Sequence, residues 1–181
     1  MKKYRRTDAG RRAAVLGLLS ALALCAFLLE SLVPIPYLPG AKLGLANIFS
    51  MLALLLYGLP DALLVVLVRT FLGSLFAGNV SMLLYSMTAG VVSVIACRPM
   101  LCLLPRVSFV AVSVAGAVLH NFVQLLVYCA LAGTMLLFGY SPYLCLLGAL
   151  SGAAVGLIVT YTVKLLPPRY LPGADRKEES T

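Results

Sequence analysis

MKKYRRTDAGRR (residues 1–12) followed by AAVLGLLSALALCAFLLESLV (residues 13–33) decides the class of this protein. Six bases (Lys2, Lys3, Arg5, Arg6, Arg11, Arg12) precede a run whose only charge is Glu30. As a helix, that run is long enough to cross a hydrocarbon core of about 30 Å. It is longer than the roughly 7–15 residues of a signal-peptide apolar region. Leu22-Ala23-Leu24-Cys25 has the outline of a lipoprotein cleavage box, but bulky Leu24 stands where a small residue is needed. The segment is therefore expected to remain as the first span. Beside it, the basic cluster reads as a cytoplasmic anchor near anionic lipid, not as a nucleic-acid site.

The rest of the chain agrees. Of 181 residues, 62% are hydrophobic and 11% charged, with a mean hydropathy of +1.03. A soluble domain carries about 45–50% apolar and about 25% charged residues, so too little polar surface exists to cover a globule in water. That excludes a secreted disulfide scaffold, a disordered chain and a soluble nucleic-acid binder. The five cysteines (Cys25, Cys97, Cys102, Cys129, Cys145) show no CxxC spacing and read as small hydrophobes.

Glycine, proline and charge cut the sequence into six apolar segments: about Ala13–Val33, Leu43–Tyr57, Asp61–Phe76, Val80–Cys97, Ser108–Leu137 and Pro142–Leu166. The second is short for a crossing, and the fifth is long enough to tilt or break near Gly133. A turn-rich loop, residues 34–42, follows the first span. Met100–Leu104 is expected as a short interfacial turn, and the tail after Pro172 as disordered. Continuous apolar runs argue against the alternating pattern of a membrane barrel. The expected fold is an all-α, six-helix polytopic membrane bundle over residues 13–166. A basic segment (1–12) and a polar tail (167–181) flank it. With both ends in the cytoplasm, twelve Lys and Arg fall inside and only Lys42 outside, which fits an even number of spans.

Ionisable groups in a bilayer need a partner or a function. Arg69 lies midway along the third segment, about 12 Å from Asp61 along a helix. It is either part of a structural ion pair, with Glu30 a candidate, or a cation facing a ligand cavity. Glu30 either reaches the interface or pairs with Lys42 or Arg69. Asp61 suits a helix N-terminus. On the fifth segment Ser113, Gly116, His120 and Gln124 share one face, with Asn121 adjacent. Asn47, Asn79, Tyr85 and Ser86 are candidates to join it, each also explicable by capping or helix-to-helix hydrogen bonds. Two ladders of small residues, Ala13-Gly17-Ala21 and Gly148-Gly152-Gly156, permit close helix approach, either within the bundle or against another membrane protein.

No P-loop occurs, and no paired carboxylates stand ready to hold magnesium and a diphosphate. Neither is there an activated nucleophile with its base. An autonomous enzyme is not expected, and no cofactor or metal is implied.

Three strings, Pro39-Gly40-Ala41-Lys42-Leu43-Gly44-Leu45-Ala46-Asn47, Arg69-Thr70-Phe71-Leu72-Gly73-Ser74 and Val114-Ala115-Gly116-Ala117-Val118-Leu119-His120-Asn121, resemble the bacterial Gx transporter family. That family is also labelled heptaprenyl diphosphate synthase component I, and the likeness covers roughly Ala13 to Leu166. The family in turn resembles the substrate-binding S components of energy-coupling factor (ECF) transporters. The resemblance implies a multi-pass protein of the bacterial cytoplasmic membrane that binds a vitamin-like molecule near the outer face. It also implies a first helix that docks to a coupling subunit driven by two ATPases. Ala13, Gly17 and Ala21 sit where the docking motif lies, with Gly17 in place of an alanine. The loop 34–42 sits where the outer lid lies. The expected substrate site is Arg69, His120, Asn121 and Gln124, with Lys42 and Asn47 at the mouth. Its positive groups favour an anionic or carbonyl-bearing ligand, flavin-like or quinone-precursor-like. A non-catalytic membrane subunit of isoprenoid diphosphate synthesis is the alternative.

Overall fold

The computed structural model describes residues 4–32, 44–102 and 107–166. The regular elements among them are all helical: α1 (Tyr4–Leu32), α2 (Ala46–Leu56), α3 (Leu59–Phe76), α4 (Val80–Cys102), α5 (Phe109–Ala132) and α6 (Ser141–Leu165). A short 3-10 turn, Leu136–Tyr140, precedes α6. Lipid offers no partner to a backbone N–H or C=O, so long apolar runs in a bilayer close their hydrogen bonds internally as helices.

The distribution of side chains is the reverse of a water-soluble fold. Leu18, Leu29, Phe71, Leu75, Leu150 and Leu157 are exposed, while Glu30, Asp61, Arg69, His120, Asn121 and Gln124 are buried. Five helices are long and apolar enough to cross a membrane, and α2 is a shorter apolar helix. The chain is a multi-pass membrane protein.

Side-chain contacts fix the relative directions of the helices. Arg12 of α1 forms an ion pair with Asp61 in the first turn of α3, and its guanidinium lies 5.9 Å from the ring centroid of Tyr57, just past α2. Farther along, Gly73 of α3 is packed against the ring of Phe27 of α1. Helices α1 and α3 therefore run parallel, with α2 antiparallel between them. At the Arg12 end, Leu16, Tyr57, Leu59, Leu101, Phe109 and Val163 belong to one apolar cluster. The start of α1 and the end of α6 thus lie on the same side. Among the described residues, every Lys and Arg except Arg69 belongs to that end, the distribution that the membrane-orientation rule requires of a cytoplasmic side.

Helix α2 has 11 residues, about 16 Å of helix against a core of about 30 Å. It is packed by α1, α3, α4 and α6, and Met51, Leu52, Ala53 and Leu54 are buried. It begins within the protein, where irregular backbone at membrane depth is tolerated. The Leu45 N–H donates to Glu30 Oε1, which places a carboxylate at the positive end of the α2 dipole.

Two boundaries depart from expectation and a third follows it. Helix α1 starts at Tyr4, so the basic segment continues the first span as one helix. Helix α4 runs through Pro99 to Cys102, where an interfacial turn was expected from Met100. Proline there removes only one backbone bond, close to the helix end, so the break is not forced. The fifth segment breaks where glycine allows it: Gly133 takes φ 65°, and Thr134 N–H donates to Cys129 O, the bond that closes a Schellman C-cap.

The two small-residue ladders have different environments. On α6, ideal Cβ atoms built on Gly152 and Gly156 would lie 2.7 Å from Val114 Cα and 2.5 Å from Val110 Cα. These glycines seat α6 directly on the α5 backbone. On α1, a Cβ at Gly17 meets nothing within 4 Å, and Ala13, Gly17 and Ala21 are exposed. That ladder packs nothing inside the bundle.

Candidate functional site

At the end of the bundle remote from Arg12, five helices contribute side chains to one interior cavity. Glu30 comes from α1, Asn47 from α2, Arg69 from α3, Ser86 from α4, and His120 and Asn121 from α5. Its non-atom space is about 310 Å³, open solvent included, of which about 20 Å³ admits the centre of a water molecule. That is room for about one or two waters. Phe27, Ala46, Met82 and Tyr85 form an apolar cluster at the same end.

Arg69 is 2% exposed. Its Nη2 donates to Asn47 Oδ1 at 2.7 Å, while Nε and Nη1 have no hydrogen-bond partner among the described residues. A guanidinium carries five N–H donors in a rigid fork. Leaving such donors unmet in the interior costs about 1–3 kcal/mol each, and more when charged. The adjacent Thr70 hydroxyl donates to Val66 O at 2.7 Å, so it is left as an acceptor. Ser86 is buried and its hydroxyl has no partner among the described residues. Glu30 lines the same cavity as Arg69 while its carboxylate receives the Leu45 N–H.

The expected site is largely brought together. Arg69, His120, Asn121 and Asn47 converge on the cavity, and Gln124 is buried one turn beyond His120 but does not line it. Lys42 and the loop 34–42 lie outside the described residues. Asn121 also has a packing role: its Nδ2 donates to Leu144 O on α6 at 2.9 Å, in space left by Gly148. Asn79 accepts from Met82 N–H at 3.0 Å and so caps α4. Tyr85 meets Tyr128 edge to face at 5.7 Å. Asp61 stands at the other end of the bundle, engaged by Arg12.

A second cavity was not foreseen. It shares Gly44 and Asn47 with the first and continues between α2, α4, α5 and α6, past Ser50, Ser93, Cys97 and Ser151. Ser113 and Gly116 of the face expected on the fifth segment line this second cavity, not the one around Arg69, whereas Ser50, Ser93 and Ser151 carried no signal in the sequence.

On the outside, Ala13, Gly17, Ser20 and Ala21 of α1 and Leu64 and Val68 of α3 line an apolar groove. Its non-atom space is about 950 Å³, open solvent included.

Residues 19–162 match the family described as heptaprenyl diphosphate synthase component I. The chain belongs to this family. The match takes in α2 to α5, nearly all of α6 and the second half of α1 from Leu19, and so includes both cavities but not Ala13 and Gly17. No curated protein and no solved structure matches the chain.

Proposed function

We propose that the chain is the substrate-binding membrane subunit of a small-molecule transporter, without chemistry or an energy source of its own, in a bacterial cytoplasmic membrane. The observation that carries this reading is Arg69: a fully buried guanidinium aimed into a cavity, with two of its nitrogens unpartnered among the described residues. A purely structural arginine in hydrocarbon would be expected to have its donors met by protein groups. A carboxylate, phosphate or polarised carbonyl would meet them here, as in a flavin-like or quinone-precursor-like molecule. The ligand reaches the site from the end remote from Arg12, and the loop 34–42 is the proposed lid. The groove along Ala13, Gly17 and Ala21 is the proposed seat of an ECF-type coupling subunit with its ATPases.

The family description favours a second reading, a non-catalytic membrane component that works beside a prenyl diphosphate synthase. Native mass spectrometry of the protein gently extracted from its own membrane separates the two. A stoichiometric anionic or carbonyl-bearing metabolite, lost in Arg69→Ala or His120→Ala, supports the transporter subunit. Equal retention of the metabolite in both variants refutes the site. An empty bundle carrying a prenyl synthase establishes the second reading instead.

A further inference from the structure

The second cavity differs chemically from the first, although the two share Gly44 and Asn47. No charged residue lines it. Beyond the Asn47 amide and the Cys97 thiol, its polar side chains are the hydroxyls of Ser50, Ser93, Ser113 and Ser151, and their hydrogens are partly committed. Ser93 donates to Gly116 O at 2.7 Å, and Ser151 donates to Gly148 O at 3.2 Å. A hydroxyl has one hydrogen and two lone pairs, so these two serines can only accept from anything placed beside them. Ser50 is 2% exposed, lines the cavity, and its hydroxyl has no partner among the described residues. Met51, Leu54, Val94 and Val155 complete the wall.

Asn47 stands between the two spaces. Its Oδ1 faces the Arg69 guanidinium. Its Nδ2 would lie 3.3 Å from a Cβ built on Gly44, and Ser151 Oγ 3.7 Å from the same point. Gly44 has φ 77°, a left-handed backbone that favours glycine, and its bare Cα borders both spaces. The space admitting water centres in the second cavity is about 30 Å³, enough for about two or three waters or a short chain of similar bulk.

We infer that the ligand has two parts: an anionic or carbonyl-bearing head held by Arg69, and a short, uncharged arm ending in a hydroxyl or N–H that enters the serine-lined cavity past Asn47. This rests on the Arg69 site proposed above. An ammonium arm is rejected because it finds no counter-charge, and a methyl or ether arm because neither has a hydrogen to give to the acceptors Ser93 and Ser151.

The test uses the full-length protein in detergent micelles and matched short-chain carboxylates, in a series of lengths, that differ only in a terminal methyl, hydroxyl, methoxy or ammonium group. Ligand-dependent thermal stabilisation reads the affinity. The expected ranking places hydroxyl first, by about fivefold over methyl, as a single net hydrogen bond gives, with ammonium last. Ser50→Ala narrows the hydroxyl preference. Carboxylates that bind through Arg69, and weaken in Arg69→Gln, but show no preference for the hydroxyl in the parent protein overturn the second compartment and leave the first standing. Carboxylates that stabilise neither protein, or both alike, overturn the anionic head and this inference with it.

Discussion

Substituting single glycines by alanine in the two ladders tests the packing directly. A Cβ at Gly156 would sit 2.5 Å from Val110 Cα and 3.2 Å from Val110 N; one at Gly152 would sit 2.7 Å from Val114 Cα and 2.8 Å from Ser113 O. Both clashes are with backbone, which cannot rotate aside as a side chain does. Restoring ordinary contact requires α5 and α6 to part locally by about 1 Å. Overpacking of this kind costs about 1–3 kcal/mol, offset by about 1 kcal/mol from the better helix propensity of alanine. A backbone contact at 2.5 Å belongs in the upper part of that range, about 2–3 kcal/mol, so the net for Gly156→Ala is a loss of about 1–2 kcal/mol. At about 2–4 °C per kcal/mol for a chain of this size, Tm falls by roughly 2–8 °C. The pair Gly152→Ala and Gly156→Ala should cost less than the sum, since one separation relieves both clashes. Gly17→Ala, with open space around its Cβ, should leave Tm unchanged or raise it slightly. The chain has no tryptophan, so the assay is thiol labelling during a thermal ramp: the exposed Cys25 and Cys102 are blocked first, and the buried Cys97 and Cys129 report unfolding. A Gly156→Ala protein as stable as its parent, or a Gly17→Ala protein equally weakened, would refute the assignment of the α6 ladder to internal packing and the α1 ladder to the surface.

Asp61→Ala removes the carboxylate that engages Arg12. With the Arg12 side chain 52% exposed and that of Asp61 9% exposed, the loss should be about 1–2 kcal/mol, between the values for surface and buried pairs. The same thiol assay should show a Tm lowered by a few degrees, and an unchanged Tm would remove the pair from the stability account. Glu30→Ala deprives the Leu45 N–H of its acceptor; hydrogen exchange at Leu45 should quicken while the amide of Ala53, deep in α2, keeps its protection. Equal acceleration at both would mean that the whole helix depends on Glu30. Gly17→Leu fills the α1 groove and should leave the fold and ligand retention intact while abolishing capture of the proposed coupling subunit; capture at the parental level would remove α1 from the docking surface.

Much of the fold could be read from the sequence because a bilayer leaves few options. Continuous apolar runs must become helices, and the distribution of Lys and Arg set their directions. Where the reading fell short, local sequence did not hold the answer. Pro99 resembles a terminator, yet its single lost bond lies near the helix end and the last turn forms around it. The ladders Ala13-Gly17-Ala21 and Gly148-Gly152-Gly156 have the same spacing, and only the partner across from each distinguishes them. Arg69, His120 and Asn121 stood out because charge and amides are rare at membrane depth. Ser50, Ser93 and Ser151 did not, since a serine in such a helix ordinarily satisfies itself on its own backbone. The route from Asn47 to Cys97 exists only once four helices are assembled.

The placement of the two candidate surfaces bears on how they would communicate. Helices α1 and α3 carry both. Phe27, Glu30, Arg69 and Thr70 face the ligand cavity, while Ala13, Gly17, Ala21, Leu64, Val68 and Leu72 face the groove. Val68 and Arg69 are consecutive, so α3 presents a groove residue and the cavity's cation within one turn. Phe27 is packed into the space left by Gly73, and at the other end Arg12 holds the same two helices together through Asp61. On the proposed function, drawing Arg69 toward an anion acts on the very pair of helices whose outer faces would receive the partner. Binding free energies at two linked sites are reciprocal. A ligand that tightens the partner's grip on Ala13, Gly17 and Ala21 must itself be held more tightly in the assembled complex, by the same factor. A carrier that releases its cargo needs the opposite sign: docking in the α1–α3 groove would have to spread the helices that frame Arg69, and ligand affinity in the complex should be lower than in the isolated subunit.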